Sequence, residues 1–171
     1  MDNGFFIYLN RLESLAFFSG YPLIYTIIHF FGENHKIRTA IKTRLVFLLP
    51  FSYALLGTLY LGLQLKNLYP DYSLENMKLT MQDPYLKIWG ILVMLFWIPA
   101  LRKKPVLSLL HSLVFFFFLI RDLFLNFFHS TDKNVLKNDM KIYTDSLLLN
   151  ACAFSAIILI YLLISKMKGN R

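Results

Sequence analysis

Five apolar runs, each about as long as a bilayer is thick, constrain this chain more than any other feature. They cover roughly residues 12–31, 45–65, 85–101, 106–128 and 147–164. A helix needs about 17–25 residues to cross a hydrocarbon core of about 30 Å. The runs are continuous rather than alternating as the strands of a closed barrel would be, so helices are expected. The sequence therefore predicts an all-α, polytopic transmembrane helix bundle in one domain, residues 1–171, with five spans. Residues 85–101 form the shortest run, and an alternative with four spans treats it as buried or re-entrant.

The charge deficit points the same way. Only 16% of residues are charged, against about 25% in a soluble domain, whose surface must be polar. The net charge of +8 would raise nucleic-acid binding if it formed a basic patch with stacking aromatics. Here the cations sit between apolar runs, where they orient a chain in a membrane, and no nucleic-acid partner is expected. With the amino terminus outside, the inner segments hold Lys36, Arg38, Lys42, Arg44, Arg102, Lys103, Lys104, Lys166, Lys168 and Arg171, with Glu33 as the single acid. The outer segments hold seven cations and eight acids. The carboxyl terminus is then cytoplasmic. The start, MDNGFF, carries no basic region or small-residue cleavage site, so no cleaved signal is expected. Short loops in a compact chain suggest a bacterial inner (cytoplasmic) membrane.

Arg121 and Asp122 stand in the fourth run, amid phenylalanines and leucines. With the midplane near Phe117, both lie about 6–7.5 Å outward at 1.5 Å per residue. An unpaired charge at the bilayer centre costs about 2.5–3.5 kcal/mol on insertion scales, so partners are expected. At about 100° per residue, Ser108, His111, Phe115, Phe118, Asp122, Asn126 and His129 share a stripe about 80° wide. Neighbours in sequence diverge on a helix, so Arg121 is expected to turn outward to Glu13 and Arg11 to reach Asp122. The resulting candidate is a polar intramembrane cluster of Arg121, Asp122, Glu13, Arg11, Asn126 and Asn150. It would either staple helices together, hold a substrate or ion, or meet another subunit.

His29 and His111 fall at similar depths on the first and fourth runs. Two imidazoles so placed could clamp a b-type haem or relay protons. His35 and His129 are read as solvated. No G-x-x-x-x-G-K-[ST], H-E-x-x-H or G-x-S-x-G motif occurs, so catalysis is unsupported. Cys152 is the single cysteine, which rules out an internal disulfide and a cysteine zinc site.

Small residues spaced by four, Ala54, Thr58 and Gly62 on the second run and Ala151 and Ser155 on the fifth, predict close helix packing. Residues 71–84 and 129–146 could form short helices on the outer surface, or the latter could prolong the flanking spans. The expected function is that of a small, non-catalytic subunit or accessory protein of a larger membrane complex. The alternative is a small oligomeric transporter or channel with a polar site in the outer half of the bundle. Partners are then the lipid bilayer and other membrane subunits or further copies of the chain. A transporter would want discontinuous helices near the midplane, and only Pro22, Pro50 and Pro99 hint at breaks.

Overall fold

A computed structural model describes residues 13–30, 36–70, 72–73, 84–129 and 133–169. All its elements are helical. A helical stretch, 13–18, leads through a turn at Ser19–Gly20 into α1, Tyr21–Phe30. Then come α2, Lys36–Leu68, and α3, Pro84–Leu92. A 3-10 helix, Val93–Trp97, follows, and then the single turn α4, Pro99–Arg102. The long α5, Pro105–His129, and α6, Lys133–Gly169, complete the chain.

Three of these helices are long and apolar enough to cross a membrane, over Ile41–Leu68, Pro105–Leu125 and Met140–Lys168. The first and third apolar runs are interrupted. The cause in the first is Pro22, which lacks an N–H and whose ring crowds the carbonyl four residues back, that of Phe18. In the third, Ile98 is extended at φ −69°, ψ 126° and Pro99 starts the next turn. A residue before proline is pushed out of the helical region in this way. Pro50, by contrast, lies inside the unbroken α2.

At 1.5 Å per residue, α2 with its 33 residues is about 50 Å long, and α6 with 37 about 55 Å. Both exceed the hydrocarbon core. Continuity from Lys133 onward shows that residues 133–146 extend the last helix rather than forming a separate one. The surface helix expected over 71–84 lies almost wholly outside the described residues.

The core is aromatic. Phe18 packs against Tyr53, Tyr60 and Phe115 at ring distances of 5.7, 5.2 and 4.7 Å, and Tyr21 lies 4.3 Å from Tyr53. Tyrosine hydroxyls need partners in an apolar interior, and serines supply two of them. Ser14 Oγ is 2.6 Å from the Tyr60 hydroxyl. Tyr21 and Ser108 are 2.7 Å apart. Because Ser108 donates its own proton to the Pro105 carbonyl, Tyr21 is the donor in that pair.

Of the expected small-residue spacing on the second run, Ala54 is fully buried in the core, and the closest approaches fall on glycines outside it. A Cβ at Gly57 would lie 2.8 Å from Val93, and one at Gly90 2.6 Å from Tyr60, whereas Gly62 has nothing within 4 Å among the described residues. Thr58, also expected in the seam, is exposed and accepts the Trp97 indole N–H at 3.0 Å. The third run thus lies on α2 through Gly57 and Gly90. Lys87, on the same short helix, is buried, a placement that counting it among outer-loop cations did not anticipate. Arg102 sets its guanidinium 4.2 Å over the Phe51 ring.

Candidate functional site

Two places in the bundle combine interrupted helices with buried polar atoms. The first is the turn at Ser19–Gly20. A continuous helix would pair the Gly20 N–H with the carbonyl of residue 16 and offer the Phe17 carbonyl to residue 21. Instead the Gly20 N–H donates to Ser146 Oγ at 2.8 Å, and the Phe17 carbonyl accepts from Asn150 Nδ2 at 2.9 Å. Asn150 also donates to the Ser146 carbonyl at 2.8 Å. Ser146 and Asn150 are four apart on α6 and so stand one above the other, spaced to meet both groups freed by the break. In an apolar medium such groups must be satisfied by neighbouring helices.

The approach is close. A Cβ at Gly20 would lie 2.7–2.8 Å from the backbone of Ser146 and Leu147. Ser19 and Asn150 are buried, and Ser19 Oγ and Asn150 Oδ1 have no hydrogen-bond partner among the described residues.

The second place is His111. Its ring stacks on Trp89 at 4.4 Å and 6° between planes, with Tyr53 and Phe96 at its edges. The Trp89 indole N–H donates to the His111 carbonyl at 3.1 Å. Trp89 is therefore turned into the bundle. Nδ1 of His111 is 2.9 Å from the Tyr53 hydroxyl, while Nε2 is buried without a partner among the described residues. A cavity of about 410 Å³ lies alongside, lined by Trp89, Leu95, Phe96, Leu107, Leu110 and His111 among others.

Within the expected charged cluster, Arg121 and Glu13 take partners other than each other among the described residues. Arg121 Nη2 meets Asp122 Oδ1 at 3.4 Å and its guanidinium lies over Phe118. Glu13 Oε2 accepts instead from Gln64 Nε2 at 3.3 Å and Asn67 Nδ2 at 3.4 Å. Long side chains can converge although their Cβ atoms diverge, which the expectation of separate partners overlooked. Asn150 belongs to the break, not to the charges. Arg11 lies outside the described residues, as does the Asn126 side chain. The inward stripe of α5 is also rotated from the expected one, with Ser108, Ser112, Phe115 and Leu119 buried and His111 and Asp122 at its margins.

His29 is exposed and stacks on Tyr25 at 6.1 Å. Among the described residues no ring contact or hydrogen bond joins it to His111. No cluster of three or more metal-ligating side chains occurs among the described residues. Sequence reading missed Ser146 and Tyr53 as site residues. The signal for Ser146 was its four-residue spacing from Asn150, two polar groups on one face of an otherwise apolar helix. Compared with family models, curated proteins and solved structures, the chain matches none.

Proposed function

We propose that this chain is a five-span integral protein of a bacterial inner membrane, amino terminus outside, serving as a non-catalytic subunit of a larger membrane complex. The observation that carries the reading is the uneven burial of its long helices. In the most apolar stretch of α2 half the residues are buried within the chain, but only 22% in α5 and 17% in α6. α6 turns Ser146, Asn150, Ala153 and Ile157 inward. Its opposite face carries Leu148, Cys152, Ser155 and Leu159, all exposed. Small residues on a lipid-facing helix admit a second helix closely, which a face meant only for lipid does not need. The test is purification in mild detergent with mass measured by light scattering and native mass spectrometry. A complex with other membrane proteins is the expected result, and a lone monomer overturns it. Reporter fusions should place residues 32–44 and 102–104 in the cytoplasm and 66–70 outside; a cytoplasmic 66–70 overturns the five-span arrangement.

One observation favours the alternative of a small transporter. Both the first and third runs are discontinuous, and broken helices commonly frame substrate sites. The junction at Ser19–Gly20 is closed by Ser146 and Asn150, which favours a brace over a pathway. Reconstituted vesicles that show solute flux above protein-free controls would reverse that preference.

A further inference from the structure

Arg102 is held differently from the cations beside it. Lys103 and Lys104 are exposed, whereas Arg102 is half-buried, its guanidinium carbon 4.2 Å from the centre of the Phe51 ring. Stacking on an aromatic face fixes the plane of the guanidinium fork. Nε is sealed by the packing and has no partner among the described residues, but the two Nη groups are not sealed. Among the described residues they too have neither a hydrogen bond nor an ion pair. The outer end of the fork therefore keeps its N–H donors open.

The ring beneath it belongs to a stripe on the outside of the bundle. At about 100° per residue, Arg44, Phe47, Phe51 and Thr58 fall within about 60° of one another on α2. Phe47 lies 5.7 Å from Phe51, and Trp97 is 6.4 Å from Phe51 with its N–H on Thr58. Both Phe47 and Trp97 are exposed. A guanidinium thus sits at the head of an exposed aromatic strip, seven residues and about 10 Å along α2 from Arg44.

No acid of this part of the chain can neutralise it. Residues 34–70 and 84–121 contain no Asp or Glu, and they include the whole of α2, α3 and α4. The matching anion for a fixed fork is a phosphate, which takes two parallel N–H bonds. The strip below suits acyl chains. A choline headgroup would set its own cation among Arg102, Lys103 and Lys104, so the net charge of the headgroup must be negative. Basic pockets between membrane helices take such headgroups.

We propose that Arg102, stacked on Phe51, binds the phosphate of an anionic phospholipid whose acyl chain lies over Phe47 and Trp97. The inference requires that the chain span a bilayer, but neither a partner subunit nor a fixed orientation.

The experiment reconstitutes the purified full chain in phosphatidylcholine vesicles. These carry either acyl-brominated phosphatidylglycerol or acyl-brominated phosphatidylcholine in both leaflets, and tryptophan quenching is read. Trp97 is 40% exposed, so bromines on a lipid seated beside it quench its emission. The chain has two tryptophans, and Trp97→Phe isolates the share due to Trp89. A preference for phosphatidylglycerol of at least about fivefold is expected, the weight of one cation near anionic lipid. Arg102→Gln should bring the two lipids near parity, while Lys103→Gln, an equal loss of charge at an exposed position, should keep the preference. Equal effects of these two variants mean diffuse attraction and overturn the site. No preference in the wild type overturns it as well, and so does a preference undiminished in Trp97→Phe. Should Arg102→Gln fail to fold, salt decides on the wild type. The preference should persist at about 1 M sodium chloride, where charges more than about 3 Å apart are screened, and its loss there overturns the contact.

Discussion

Asn150 on the last helix donates its amide to the Phe17 carbonyl on the first, 2.9 Å away, and so closes a gap in a helix 133 positions earlier in the chain. Interhelical hydrogen bonds in a membrane average only about 0.6 kcal/mol. A buried carbonyl left unpaired costs about 1–3 kcal/mol, and this cost outweighs the first. Asn150→Leu should therefore lower stability by about 1–3 kcal/mol, read from thermal melting in detergent. Cys152→Leu, two residues on and exposed, should leave it nearly unchanged. Equal effects from the two would show that Asn150 braces nothing.

Gly20 is expected to tolerate no side chain. The atoms a methyl would meet are backbone, at 2.7–2.8 Å, and cannot rotate away. Overpacking of this sort costs about 1–3 kcal/mol. Gly20→Ala should destabilise the protein, whereas Gly62→Ala, which meets none of the described residues within 4 Å, should stabilise α2 slightly through better helix propensity, by about 1 kcal/mol or less. Melting of the two variants side by side checks this.

Arg121 and Glu13 should behave as independent sites. Arg121 pairs with Asp122 at 3.4 Å. Glu13 is held by Gln64 and Asn67. The effects of Arg121→Leu and Glu13→Leu should add to within about 0.3–0.5 kcal/mol. A double-mutant cycle in which the second change rescues the first would show that the two side chains meet.

Haem is not expected on His29 and His111. Nε2 of His111 is buried, the cavity that His111 lines is lined by neither His29 nor Tyr25, and His29 is packed on Tyr25 and Phe30. Protein purified from cells supplied with haem should show no Soret band. A band lost in both His29→Ala and His111→Ala would establish the clamp.

The helical nature of the chain and its apolar segments are legible in the sequence because length and continuity of hydrophobic runs are local properties. Pro22 and Pro99 announce the interrupted runs, and Pro50 gives the same signal without an interruption. Proline removes one N–H and crowds one carbonyl wherever it falls. Whether the helix then breaks depends on groups such as Ser146 and Asn150 that the sequence keeps far away. The Arg121–Asp122 contact is hidden for a related reason. Angular position on a helix fixes Cβ, while a guanidinium on a flexible stem reaches well beyond it. The sequence carries His111, but not that Tyr53 and Trp89 lie against its ring.

The turn at Ser19–Gly20 has a mechanical consequence in the five-span arrangement. A continuous helix carries tilt along its whole length, whereas one divided at Ser19–Gly20 lets the parts on either side tilt separately. The joint is clasped by Ser146 and Asn150 of the last helix. Hydrophobic mismatch with a bilayer is met by tilting or kinking, at fractions of a kcal/mol per Å. The first run therefore answers it at one place, and that place moves only when its two clasps let go.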